Sequence, residues 1–227
     1  YDGTRRALRT LKNSYKNKKG NKFYLFPFFI VYYIGKWNHM NYKLKHYLIT
    51  DPKYYTNDIG LFEKNLRNIL ENKKVDIACF RDKTSDNYED LAKIFIMTCK
   101  EFTIKEILLN TDYKLASKLK ATGVHLNSTQ FDKIKIAKDL NLNVIISCHS
   151  FEDIEKAKSL KCDTLTFSPI FQTPNKGEPK GILKLQEAID TYKDVNIIAL
   201  GGIINDEQIK QIEKTKAYAF ASIRYFI

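Results

Sequence analysis

At 227 residues and 44% hydrophobic content, the chain can bury a core of ordinary single-domain size, which excludes wholesale disorder. Its formal net charge of +12 would suggest a nucleic-acid partner if it were spread over the whole chain. Residues 1–39 hold nine Lys or Arg and one acid, net +8, which leaves +4 for residues 40–227, a mixed-charge body for which no nucleic-acid partner is expected.

The basic leader is set apart by more than charge. The chain opens on Tyr1, and its first methionine is Met40. Arg5, Arg6, Arg9 and five lysines between Lys12 and Lys22 precede an apolar run, Phe23 to Ile34, interrupted by Pro27. That is the order of a signal peptide, but Lys36, Trp37, Asn38 and His39 stand where a small-residue cleavage site would be. Twelve apolar residues are too few to span a bilayer as a helix. We expect residues 1–39 to be a poorly ordered extension, or sequence upstream of a start at Met40, and residues 40–227 to be the folded domain, with no membrane association for that body and a cytoplasmic location.

Cys79, Cys99, Cys148 and Cys162 form no C-x-x-C pair and sit in apolar or helical surroundings, so buried reduced thiols are expected. His39, His46, His125 and His149 are scattered without metal-ligand spacing.

From Met40 the body alternates short apolar, β-branched runs with segments of helical spacing. Strands are expected at 46–51, 76–81, 106–110, 123–126, 144–149, 164–171, 196–201 and 217–222. Helices are expected at 61–70, 88–102, 112–121, 131–140, from Ser150 onward, at 183–192 and at 206–214. Ser150-Phe-Glu-Asp153 has the form of a capping box with Asp in the acidic place. Eight strands and seven helices with short connections predict an α/β fold, a (β/α)8 TIM barrel whose eighth helix is missing or very short. The flank left by that helix would be masked by the leader or by a second subunit, hence an expected homo-oligomer.

Chemistry in a parallel barrel sits where strands end. Here those ends are Thr50-Asp51, Arg81-Asp-Lys83, Asn110-Thr-Asp112, Asn127-Ser128, Ser147-Cys-His149, Gly201-Gly202 and Ser222. The longest loop follows Phe167 and holds Thr173, Asn175 and Lys176, which offer hydroxyl, amide and ammonium donors to an anion. Gly201-Gly202 lets backbone amides approach a ligand closely, at the usual phosphate position of this architecture. Arg81 and Lys83 lie two apart, on one side of an extended strand end, and point to a phosphate or diphosphate substrate.

Tyr47-Leu-Ile-Thr-Asp51, Phe80-Arg-Asp-Lys83, Gly123-Val-His-Leu126, Ser168-Pro-Ile-Phe-Gln-Thr173 with Lys176, and Ala199-Leu-Gly-Gly-Ile203 occur in that order. Together they resemble the thiamine-phosphate synthase/TenI superfamily of (β/α)8 barrels, over essentially all of 46–226 and none of 1–39. The resemblance implies small-molecule substrates of thiamine biosynthesis. Synthases join hydroxymethylpyrimidine diphosphate to thiazole phosphate with Mg2+ and release pyrophosphate, whereas TenI-type relatives aromatise a thiazole carboxylate phosphate by proton transfer without a metal. By position, Arg81 and Lys83 would face the pyrimidine diphosphate, with Asn110 and Ser147 nearby. Thr173, Asn175, Gly201, Gly202 and Ser222 would hold the thiazole phosphate, and Lys176 would stabilise leaving pyrophosphate.

The departures from the synthase pattern lie at the metal. Cys79 stands where synthases carry a glutamine, and Thr111 and Gln130 stand at the two positions expected to be Mg2+ carboxylates. Asp112 and Asp132 could substitute only through local shifts of the backbone. No metal ligand is therefore expected, and Mg2+ enters only if the chain acts as a synthase. His149 occupies the place where TenI-type tautomerases carry the proton-moving histidine, and an imidazole suits both halves of that transfer. The expectation drawn from these residues is a TenI-type thiazole tautomerase, with His149 and Lys176 as the catalytic candidates. A thiamine-phosphate synthase is the alternative, and a non-catalytic binder of thiazole or thiamine phosphate is the third.

Overall fold

Eight parallel strands close into a barrel in the order β1 to β8, with β8 pairing back onto β1. The structure is a computed structural model that describes residues 42–227, so the expectations for residues 1–39 lie outside the described residues. The strands are β1 Lys45–Ile49, β2 Ile77–Phe80, β3 Glu106–Asn110, β4 Gly123–Leu126, β5 Asn143–Cys148, β6 Thr164–Phe167, β7 Asn196–Leu200 and β8 Ala219–Ser222. The α-helices among the described residues are α1 Pro52–Tyr55, α2 Ile59–Asn72, α3 Tyr88–Glu101, α4 Tyr113–Lys118, α5 Ile134–Asp139, α6 Phe151–Ser159, α7 Gly181–Thr191 and α8 Asp206–Lys214.

Alternation along each strand divides its side chains between two cores. Tyr47, Ile49, Ile77, Cys79, Leu108, Ile145, Ile198, Ala219 and Ala221 fill the barrel interior as one buried cluster. Their neighbours Leu48, Phe80, Leu109, Ile146, Phe167 and Phe220 face outward and join the helices in the larger cluster. The helices present apolar stripes to that layer. In α2, Phe62, Leu66, Ile69 and Leu70 are buried, and Asp58 caps its start by accepting from Leu61 N at 2.8 Å. Phe80 sits between α2 and α3, edge-on to Phe62 and tilted against Phe95, each at 5.6 Å.

The expected elements are all present, with three informative differences. Helix α1 was not anticipated; Asp51 caps it through Lys53 N at 3.1 Å and Pro52 supplies the preset φ of a first turn. Strand β6 stops at Phe167 rather than Phe171, because Pro169 has no N–H for the ladder. Beyond it, Ile170 N and Phe171 N donate to Leu200 O and Gly201 O at 2.9 and 3.0 Å and tie the long loop to the end of β7. The helix that would follow β8 is reduced to a 3-10 turn, Arg224–Phe226. That turn packs the outer face of β8 with the chain's own aromatics. Phe226 stacks on Phe220 at 6.0 Å and Tyr225 meets it edge-on at 5.3 Å, so this face does not call for a second subunit.

The end of the barrel remote from the strand C-termini is closed by Lys45, whose ammonium binds Glu106 at 2.8 Å and the Tyr218 hydroxyl. The four cysteines are buried, as expected. Burial pushes the thiol of Cys79 up to about 12 and that of Cys162 up to about 11, and raises those of Cys99 and Cys148. Among the described residues no helix is long and apolar enough to cross a membrane.

Phe226 is 1% exposed, so Phe226→Ala should leave a cavity against β8 and cost about 3 kcal/mol of stability. Urea denaturation measures this; a loss below about 1 kcal/mol would show that the turn does not support the barrel wall.

Candidate functional site at the barrel mouth

Period-two alternation carries the inward set of side chains up to the rim. Arg81 follows Ile77 and Cys79, Asn110 follows Leu108, and Ser147 and His149 follow Ile145, so all four lie on the interior register. Tyr47, buried in the interior, reaches up to this layer: its hydroxyl lies 2.8 Å from His125 Nδ1, and His125 Nε2 lies 3.1 Å from Ser147 Oγ. A continuous polar chain, Tyr47, His125, Ser147, therefore runs across the interior beneath the mouth. His125 is held neutral, its pKa lowered to about 4 by burial and by the nearby Arg81 charge.

The candidate cations differ in freedom. Arg81 is partly buried and its guanidinium meets Asp51 at 2.5 Å, while Thr50 Oγ1 accepts from Arg81 N at 2.8 Å and donates to its carbonyl at 3.1 Å. This arginine is aimed, not loose. Lys83 is exposed on the loop after β2. Lys176 is exposed on the β6 loop, which turns at Thr173 and Lys176 with Asn175 at φ +60°.

On the opposite wall, Thr173, Gly201 and Gly202 converge. A Cβ on Gly201, at φ +100°, would meet Pro169 Cα at 2.8 Å and Thr173 Oγ1 at 3.3 Å; one on Gly202 would meet Gln172 O at 2.5 Å. Both positions need glycine for conformation and for space. Thr173 Oγ1 donates to Phe171 O at 2.9 Å. Ser222 differs from the others: it sits on the outward register next to Phe220, donating to Ile203 O at 2.7 Å and accepting from Tyr225 N at 3.1 Å. It ties β8 to the segment after Gly202 instead of entering the interior.

His149 is fixed from two directions. Its Nδ1 lies 3.2 Å from both Ser168 O and Ser168 Oγ, and its amide donates to Asp153 Oδ2 at 2.7 Å. Ser150 Oγ accepts from Asp153 N at 3.1 Å, so the expected capping box forms with its return bond shifted one residue back, onto His149.

The residues do not fit a protein-bound Mg2+. At the two positions where carboxylates were expected, Gln130 Nε2 donates to Thr111 O at 3.1 Å and Gln130 Oε1 accepts from Asn127 N at 3.1 Å. Asp112 caps α4 by accepting from Leu115 N at 2.8 Å, and Asp132 is paired with Lys133 at 2.8 Å. Among the described residues no group of three or more His, Cys, Asp or Glu could hold a metal.

Asp51 and Gln130 stand at the rim as the sequence indicates, whereas the buried role of His125 went unrecognised, although a histidine between apolar residues in a strand must find buried partners. Its depressed pKa makes a prediction. The unfolded chain takes up a proton near the ordinary value of 6.5 while the folded chain resists until about 4, so stability present above 6.5 is lost as pH falls toward 4. That loss should be about 3 kcal/mol in the wild type. It should be absent from the pH dependence of His125→Gln, measured by denaturant unfolding at stepped pH; parallel curves would show that His125 does not resist protonation.

Comparison with known proteins places these features. Residues 46–226 match the family described as thiamine monophosphate synthase. The chain is 33% identical over 186 residues to the Aquifex aeolicus protein named "Putative thiamine-phosphate synthase 2", covering 80% of this chain and 96% of that one. It is 30% identical over 191 residues to the thiamine-phosphate synthase of Vibrio campbellii, covering 78% and 87%. Thiamine phosphate pyrophosphorylase from Pyrococcus furiosus shares the fold, with a TM-score of 0.66 at 23% identity over 79% of this chain and 85% of that one. These names weigh toward the transferase and away from the tautomerase expected from His149. With a closed (β/α)8 barrel and its matched strand ends, the chain belongs to the thiamine monophosphate synthase family.

Proposed function

We propose that the chain is a transferase of thiamine biosynthesis that couples hydroxymethylpyrimidine diphosphate to thiazole phosphate. What supports this reading is that cationic and polar side chains stand on two opposite sides of the mouth. In a ring of eight strands β2 and β6 stand opposite each other, and they carry Arg81 with Lys83 on one side and Thr173, Asn175 and Lys176 on the other. Two phosphorylated substrates need two such walls. A tautomerase acting on one thiazole phosphate would leave the first idle.

In this reading the thiazole nitrogen lone pair forms a C–N bond to the pyrimidine methylene carbon. The methylene C–O bond breaks and its electron pair departs with pyrophosphate. Arg81 and Lys83 offset the charge of the diphosphate, and Lys176 offsets what develops as it leaves. Asn110 and Ser147, both on the interior register, face the pyrimidine. Thr173, Asn175 and the Gly201-Gly202 turn receive the thiazole phosphate, with Ser222 holding that turn in place. No proton is transferred at the reacting carbon, so His149 serves as a wall of the site whose ring is oriented by Ser168.

The second reading remains the tautomerase. It is favoured by His149, whose Nδ1 is engaged by Ser168, while Nε2 has no hydrogen-bond partner among the described residues.

Incubation with both phosphorylated substrates should yield thiamine phosphate and pyrophosphate. Lys176→Ala should lower kcat by about a hundredfold, and His149→Ala should change it by less than about tenfold. Absence of thiamine phosphate, together with aromatisation of the thiazole carboxylate phosphate that disappears in His149→Ala, would replace the transferase by the tautomerase. Binding without either reaction would leave a sensor.

A further inference from the structure

Four acids near the strand ends are committed elsewhere. Asp51 meets Arg81 and caps α1, and Asp82 Oδ1 accepts from Thr84 N and Ser85 N at 2.8 and 3.0 Å. Asp112 caps α4, and Asp153 receives the His149 amide. Mg2+ is a hard ion that asks for at least one carboxylate beside substrate phosphates. An acid that already offsets an arginine or closes a helix end can leave that duty only at a cost in stability.

The Gln130 to Thr111 bond makes the point locally. Positions 111 and 130 stand side by side, close enough to have shared one ion, and they are joined by an amide N–H donated to a backbone carbonyl. That link works only with a donor at 130. A glutamate there would set its oxygens against Thr111 O and create the demand for a cation that the present side chain satisfies with its own hydrogens.

We propose that the protein contributes no metal ligand to the diphosphate wall, and that Arg81, fixed before the ligand arrives, binds the diphosphate together with the exposed Lys83, any divalent ion arriving only as the substrate's own counter-ion. Arg81 suits this role because Asp51 and Thr50 hold it in one orientation before a ligand arrives. The inference rests on the transferase reading and specifies how its diphosphate is held.

Inorganic pyrophosphate and Mn2+ serve as separate probes of the full chain. Calorimetry should show pyrophosphate binding in EDTA, weakened about tenfold or more in Arg81→Ala. Mn2+ alone should show no binding by paramagnetic resonance, while Gln130→Glu should acquire it. If that variant fails to fold by circular dichroism, Thr111→Asp is to be used in its place. Wild-type Mn2+ binding that vanishes in Asp112→Asn, which keeps a capping oxygen, would overturn the inference. So would pyrophosphate binding seen only with the metal, although the transferase reading would survive it. Failure of pyrophosphate to bind under either condition would overturn both.

Discussion

Closure of the sheet is the constraint on which the rest of this structure depends. Once β8 pairs with β1, every strand has one set of side chains turned into a single shared space and the other set turned to the helices. A strand with free edges could slip by one residue and exchange the two sets. In a closed ring such a slip would have to be taken up by every neighbour. The inward set is thus fixed for all strands together. This brings Arg81, Asn110, His125, Ser147 and His149 to one mouth although the first and last are far apart in the chain. The apolar interior below them, from Ile77 to Ala221, excludes water from the base of the site and stiffens it.

Much of this was legible in the sequence because it depends on local spacing. Runs such as Glu106–Asn110 and Gly123–Leu126 announce strands whatever surrounds them, and once eight are counted their last residues define a rim. Pairings across distant segments carry no such mark. Nothing around Tyr47 indicates that its hydroxyl meets His125, and nothing around Gln130 indicates that its amide meets Thr111 O. Ser222 shows the limit from the other side: its place at a strand end is evident, but which alternating set turns inward, Ala219 with Ala221 or Phe220 with Ser222, is decided only by packing against the rest of the barrel.

A second theme is the use of charge. The acids of the rim hold helix starts, turns and one arginine, and the buried imidazole beneath it stays neutral. Negative charge is thereby committed to local structure, while Lys83 and Lys176 stay exposed on their loops. The opposite end of the barrel uses a different device: Lys45, Glu106 and Tyr218 close it with charges that satisfy one another. Substitutions there bear on folding, whereas those at the rim bear on ligands, in keeping with the separation of ends common to this architecture.

The buried thiols have a practical meaning. Cys79, Cys99, Cys148 and Cys162 are spread over both cores, the first inside the barrel and the others under the helices, and all four are far from forming thiolate while the fold is intact. An alkylating reagent can reach each only when its own layer opens. The order in which the four become labelled would thus trace how the two cores open, with no engineered probe in the chain.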